Sequence, residues 1–380
     1  MFKSIPLIKL IVYFFVNLLV RSSNKINKKN LLIIRLDAIG DYVLFRNFIK
    51  ILKTNNNYKD YKLTLLGNIR WKSLAIDLDS EFIEHFIWLD RDRFSRDLSY
   101  RYFKLKEITS KGYEEVLSPS YSREFYCIDN IVKIVSAKNK IGSVGDYSNI
   151  SKWQKIIGDR YYTKLIDANN EIVFEFLRNK IFFENFLGSE IELTKPTIQL
   201  NDRNVNINLP KHYVILFVGA GEKFRQYNIK NFVEIAKHLN ENYNYEIVLC
   251  GGNDDIQIAK EFGSFFEGHY LDLVAKTSLS DLLQVINLGD LIISNDSSAP
   301  HIAVALGKIN VIVISNGNHY GRFTPYPESI TDRYSAIYHP FIEKKKHKYK
   351  ELINSYGYSS NLNIDDIDVR SVLKKIDNVL

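Results

Sequence analysis

The chain has 380 residues, of which 46% are hydrophobic and 25% charged, with a formal net charge of +7. That length and apolar content exclude a single small module and a globally disordered chain, and they suffice for two domains with a core each. Its two cysteines, without metal-ligand spacing, exclude a disulfide framework, and the basic excess favours anionic partners.

The first element is an apolar run over residues 5–20, interrupted by Pro6, Lys9 and Asn17 and followed by Arg21, Lys25, Lys28 and Lys29. As a helix it would span about 24 Å at 1.5 Å per residue, short of the roughly 30 Å hydrocarbon core of a bilayer. A cleaved signal peptide would carry its positive charge before the run and small residues after it, the reverse of this pattern. Two readings stay open. The helix lies on the cytoplasmic leaflet with the cations near lipid phosphates, or it packs on the protein's own surface.

From residue 31 the pattern alternates. Residues 31–36 form a continuous apolar strand, residues 38–41 a tight turn with Gly40, and residues 42–52 a helix. Further strands are expected at 62–66, 83–89 and 115–117, with helices near 69–76, 98–109 and 125–135. Residues 147–208 are expected to break the rhythm, with one amphipathic helix over 171–187 and a polar linker over 201–208. The alternation restarts with strands at 213–218, 245–250, 290–293 and 311–314, and helices at 229–239, 254–265, 279–287 and 299–306. A charged surface stretch at 344–348 and a last amphipathic helix at 365–379 complete the chain. Apolar strands alternating with helices mean parallel sheets covered on both faces. The expected organisation is an apolar and basic segment over 1–29, a Rossmann-like domain over 30–205, a second over 206–355 and a terminal helix over 356–380. Open parallel sheets bind ligands at their strand C-terminal ends, so a cleft between two such sets of ends is the expected site. Cys127 and Cys250 lie in apolar runs and are expected to be buried.

Four elements carry candidate chemistry. Arg35-Leu36-Asp37-Ala38-Ile39-Gly40-Asp41 joins the first strand to the first helix, so Asp41 either caps that helix or accepts a proton from a substrate hydroxyl. Gly219-Ala220-Gly221-Glu222-Lys223-Phe224-Arg225 follows the first strand of the second domain. Its glycines permit close backbone approach, and Lys223 and Arg225 suit a diphosphate; the alternative is a flexible basic loop. Gly251-Gly252-Asn253-Asp254-Asp255 places carboxylates where ribose hydroxyls are held in nucleotide-binding folds, or where a helix is capped. Ser294-Asn295-Asp296-Ser297-Ser298-Ala299-Pro300-His301 runs from a strand into a helix N-terminus, a site for anions, with Asp296 able to bind sugar hydroxyls. Its alternative is a capped helix start with a satisfied histidine. The G-x-G-x-x-G fingerprint is absent.

In order and spacing these elements resemble glycosyltransferase family 9, the lipopolysaccharide heptosyltransferases, over about residues 31–323. The resemblance implies a GT-B architecture, two Rossmann-like domains facing a central cleft, and an inverting transfer without a cofactor or catalytic metal. By position it makes Asp41 the catalytic base. It matches Arg225, Asp255, Asp296, Ser297 and His301 to the donor site, and Gly219, Ala220, Lys223 and Ser298 beside them complete the expected donor-binding set. The expected donor is ADP-heptose, the family's commonest case, and the expected acceptor an anionic glycolipid at the cytoplasmic surface of the inner membrane. Ser298 stands where the family often has glycine, Val218 where it has proline, and Tyr227-Asn228 where it has Trp-Pro. The apolar N-terminal extension lies outside the family core.

Rival readings are a nucleotide-sugar epimerase on the same fold and a non-catalytic scaffold binding nucleotide sugar or membrane. Nucleic acid is not an expected partner: the basic residues are spread along the chain without an aromatic-basic motif. Asp90-Arg91-Asp92 has the form of a D-x-D metal motif and is expected to be a solvated loop.

Overall fold

The computed structural model describes residues 6–20, 26–169, 171–200 and 207–380. It divides into two compact units: Met1–Asn170 with Arg178–Ile191, and Glu171–Leu177 with Glu192–Leu380. The linker expected over 201–208 falls mostly outside the described residues.

The first unit is built on six strands: β1 (Asn30–Arg35), β2 (Lys62–Asn68), β3 (His85–Leu89), β4 (Glu115–Ser118), β5 (Asn139–Ser143) and β6 (Lys164–Ile166). They pair in the order β3-β2-β1-β4-β5-β6, all parallel. Leu31, Leu32, Ile33 and Ile34 are buried without exception, as a strand covered by helices on both faces requires. The rhythm expected to fail after residue 147 continues: a helix over Lys152–Asp159 leads to β6. That helix starts at Ser151, whose N–H donates to Gln154 Oε1 at 2.8 Å. Asp90 does not sit in a solvated loop. It caps the helix Arg91–Arg96 by accepting from the Arg93 N–H at 3.0 Å, and Arg91 pairs with Glu124 at 2.5 Å.

The second unit repeats the plan with β7 (Tyr213–Phe217), β8 (Glu246–Cys250), β9 (Tyr270–Asp272), β10 (Leu291–Asn295), β11 (Asn310–Ser315) and β12 (Tyr334–Tyr338). The order is β12-β11-β10-β7-β8-β9, again all parallel. Read from the first strand outward, both sheets have the doubly wound order in which the chain reverses direction between the first and fourth strands. The switch points are therefore β1/β4 and β7/β10. The last helix, Val369–Asp377, buries Val372 and Ile376 in the second core, and its Asp377 pairs with His238 at 2.6 Å. The helix expected over 171–187 begins at Glu175. Cys250 is buried as expected but Cys127 is only partly so; burial pushes both thiols up to about 12.

Helix α1 (Pro6–Leu19) is 14 residues long. Tyr13, Val16 and Val20 are buried against the first unit, and Tyr13 Oη donates to Ser95 O at 2.8 Å. The opposite face exposes Ile11, Phe14, Phe15, Leu18 and Leu19, the last at 69%. This spacing of three and four residues is one continuous helical stripe. Arg21 and Lys25 lie outside the described residues. Among the described residues no helix is long and apolar enough to cross a membrane.

Candidate active site

In the second unit the residues after β7, β8 and β10 converge at the strand C-terminal ends. Gly219 lies directly against Asp255: a Cβ at position 219 would collide with that carboxylate. Here glycine is required by proximity. Asp255 accepts the Gly252 N–H at 2.7 Å, and burial raises its pKa. Its carboxylate therefore caps the turn Asn253–Asp255, while Asp254 is exposed.

The stretch expected as a basic loop forms a 3-10 turn, Lys223–Arg225. The Gln226 amide reaches back to Ala220 O at 3.5 Å, and a Cβ at Gly221 would lie 3.1 Å from an Arg225 terminal nitrogen. Lys223 is exposed and Arg225 half-buried. Arg225 Nε is buried without a hydrogen-bond acceptor among the described residues. The guanidinium acts electrostatically on Asp296 across the β7/β10 switch point. Asp296 is buried, and burial pushes its carboxyl up to about 6; Arg225 and the Ser315 hydroxyl, 3.5 Å away, pull the other way.

Ser297 precedes the helix Ser298–Leu306 in extended conformation, its hydroxyl 3.2 Å from that of Ser294 and not capping the helix. The first backbone N–H groups of this helix thus lack a side-chain cap from Ser297, which suits an anion. His301 is buried. Its Nδ1 is bonded to Tyr326 Oη at 2.7 Å, and burial lowers its pKa to about 4. It is therefore neutral at physiological pH and brings no positive charge to a phosphate.

Two residues without an assigned role in the sequence hold this arrangement. Asn295, the last residue of β10, donates through Nδ2 to Val218 O at 2.7 Å and accepts the Tyr227 N–H at 3.0 Å. Asn316 Nδ2 donates to Phe224 O at 3.2 Å and to Leu362 O at 3.0 Å. The turn after β7 is thereby tied to the ends of β10 and β11. Asn295 lay within the quoted motif, but nothing local to it signals a partner so distant in sequence.

In the first unit Asp41 occupies the first turn of α2 (Ile39–Phe45), whose N-cap is Ala38 and makes no side-chain cap bond. Arg35, buried at the end of β1, pairs through Nε with Asp37 at 2.8 Å and stands 3.9 Å from Asp41. Ser120 donates to the other side of the switch point, to Asp37 Oδ2 at 2.8 Å. Asp37 is thus held by two partners, and Asp41 is the carboxylate farther from the shared arginine. The structure brings Arg225, Asp296, Ser297 and Ser298 together at one switch point and sets Asp41 at the equivalent point of the other sheet.

Comparison with known proteins agrees with this layout. The family model of glycosyltransferase family 9 (heptosyltransferase) matches residues 131–353, which is more than half of the chain and begins after Asp41. No curated protein matches the sequence. Among solved structures, the Escherichia coli ADP-heptose lps heptosyltransferase II is similar with a TM-score of 0.66 and 14% identity, covering 92% of this chain and 98% of that one. E. coli heptosyltransferase WaaC with ADP gives 0.67 and 13%, covering 92% and 100%. The UDP-GlcNAc 2-epimerase of Methanocaldococcus jannaschii gives a lower 0.51 at 13% identity, covering 92% and 99%. At such identities the likeness is one of fold, the GT-B type with two parallel six-stranded sheets. With the family model matched over 131–353, the chain belongs to glycosyltransferase family 9, the heptosyltransferase family, and is a glycosyltransferase enzyme.

Proposed function

We propose that the protein transfers heptose from ADP-heptose, with inversion at the anomeric carbon, to a phosphorylated lipid-linked glycan such as a lipopolysaccharide core, at the cytoplasmic surface of the inner membrane. The observation that carries the donor half is the buried Arg225 Nε without an acceptor, beside the uncapped helix start at Ser297. Both groups suit the diphosphate of a leaving ADP. Gly219 and Asp255 suit the nucleoside, and Asp296 the sugar hydroxyls. The ADP bound to WaaC supports the same base.

In the transfer the acceptor hydroxyl oxygen attacks the anomeric carbon as its bond to the β-phosphate oxygen breaks. The bonding pair leaves with ADP, and the hydroxyl proton passes to Asp41. Arg225 and the helix N–H groups offset the developing negative charge, so turnover is expected to persist in EDTA. The exposed stripe of α1 supports the membrane location: it suits the lipid interface, with Lys28 and Lys29 close behind in sequence to meet anionic headgroups.

The test is ADP release from ADP-heptose with and without a lipopolysaccharide-core acceptor. Release is expected only with acceptor. Asp41→Asn is expected to lower kcat by about 10²–10⁴, and Arg225→Ala to lower kcat/KM for the donor by about tenfold to a hundredfold. Donor consumption that ignores the acceptor would replace this reading with the epimerase one. An Asp41→Asn enzyme that keeps most of its kcat would move the base elsewhere, to Asp37 first.

A further inference from the structure

Beneath α1 the first unit has a partly open pocket of about 560 Å³. Its wall includes Lys9 and Tyr13 of α1, Ala38 of the turn that leads to Asp41, and Arg101 of the helix Leu98–Ser110. Four cations and two carboxylates line it. Two of the cations are paired: Arg70 with Asp92 at 3.3 Å and Arg91 with Glu124 at 2.5 Å. The other two, Lys9 and Arg101, have no carboxylate partner among the described residues, and both lie on the α1 side.

Arg101 is 1% exposed. Its terminal nitrogens donate to Phe94 O at 3.2 Å, Tyr126 O at 2.9 Å and Asn130 Oδ1 at 2.6 Å. Its Nε is buried with no acceptor among the described residues. The guanidinium carbon lies 3.5 Å from the ring centre of Tyr13 and 4.2 Å from that of Phe94. Neutral carbonyls and ring faces compensate a buried cation only in part, and burial draws its pKa down to about 10. An anion is the group that completes such a site. Lys9 Nζ, bonded to Ser95 Oγ at 3.1 Å, adds a second positive charge at the same wall.

The residues of α1 divide by face. Tyr13 stacks inward on Arg101, while Phe14, Phe15 and Leu18 point out to solvent. We propose that α1 is itself a wall of the acceptor site: its outer face rests in the lipid interface, and its inner face closes a pocket in which Arg101 and Lys9 bind the phosphate of a lipid-linked acceptor beside the turn that carries Asp41. The proposal rests on the glycosyltransferase reading and adds the element and the side chains that receive the acceptor's phosphate.

The experiment uses the full chain saturated with ADP, so that the donor unit is filled. Phenyl phosphate is titrated calorimetrically, alone and against phosphatidylcholine vesicles with or without phosphatidic acid. Phenyl phosphate is expected to bind beside ADP and to be displaced by the phosphatidic acid vesicles only. Lys9→Met and Arg101→Met are each expected to weaken phosphate binding by about tenfold to a hundredfold. Arg101→Met risks misfolding because the residue is buried, so Lys9→Met, whose ammonium bonds to an exposed serine hydroxyl and lies over the Tyr13 and Tyr126 rings, is the decisive variant. A Lys9→Met protein that melts like wild type and binds phenyl phosphate equally well overturns the site. Phosphate binding that no vesicle displaces overturns the lipid source. Loss of ADP binding in the wild type would count instead against the transferase reading.

Discussion

Asp296 is a carboxylate that folding holds partly against its own charge. Burial lifts its pKa from the ordinary 3.8 to about 6, so the folded chain binds this proton more tightly than the unfolded one. The stability it contributes is present below pH 4 and is lost as pH rises through 6. Asp296→Asn removes that loss and is expected to raise the unfolding free energy at pH 8 by up to about 3 kcal/mol, a gain that narrows by pH 5. Thermal unfolding of variant and wild type at the two pH values checks it, and a gain of equal size at both would refute the raised pKa. The shift of His301, down to about 4 by burial, acts with opposite slope and cancels in the subtraction. At this scale the sequence displayed the site's members but not their partners. The run from Ser294 to His301 reads as a strand entering a helix, so Asp296 and Ser297 were recognisable. That His301 turns to Tyr326, and that Asn295 holds Val218 and Tyr227, are contacts between segments distant in sequence, which no local pattern encodes.

Among elements, α1 packs one face on the protein, as one of its two sequence readings expected, and leaves the other face bare. Deleting the helix would expose the core around Val16 and Val20 and confuse unfolding with detachment. The clean variant changes only the outer stripe. Phe14→Ser, Phe15→Ser and Leu18→Ser together are expected to abolish co-sedimentation with anionic vesicles while leaving the melting temperature within about 2 °C, because exposed side chains contribute little to stability. Retention of vesicle binding would show that another surface carries it. The strands follow a similar logic. β1, β7, β10 and β11 are almost wholly buried and dominated by apolar residues, so they were legible. β5, β6, β9 and β12 were not. They mix Asn, Lys, Asp or Ser with their apolar residues, and β6 and β9 have three residues each, too few for a period to register.

The whole molecule repeats one topology twice, and this repetition was legible because each half restarts with the same strand, turn and helix. The extent of the first half was not, since residues 147–166 hide a short helix and a three-residue strand behind polar spacing. The two halves differ in what their switch points offer. The second presents a half-buried guanidinium and a helix start without a side-chain cap from Ser297, the first an arginine shared between two carboxylates. ADP is therefore expected to slow amide hydrogen exchange at 219–225 and 295–300, with residues 30–45 unaffected. Protection centred on 30–45 would assign the nucleotide to the other sheet.

The Asn295 amide has one more consequence. Its two hydrogen bonds lock the turn after β7 to the end of β10, so the chain's own contacts hold the backbone proposed to bind phosphate. A nucleotide bound there as proposed would lose little binding free energy to ordering the loop, and it would meet a rigid receptor rather than a loop that must first be caught. Asn295→Asp, whose side chain cannot donate to the Val218 carbonyl, would turn that receptor into a hinge.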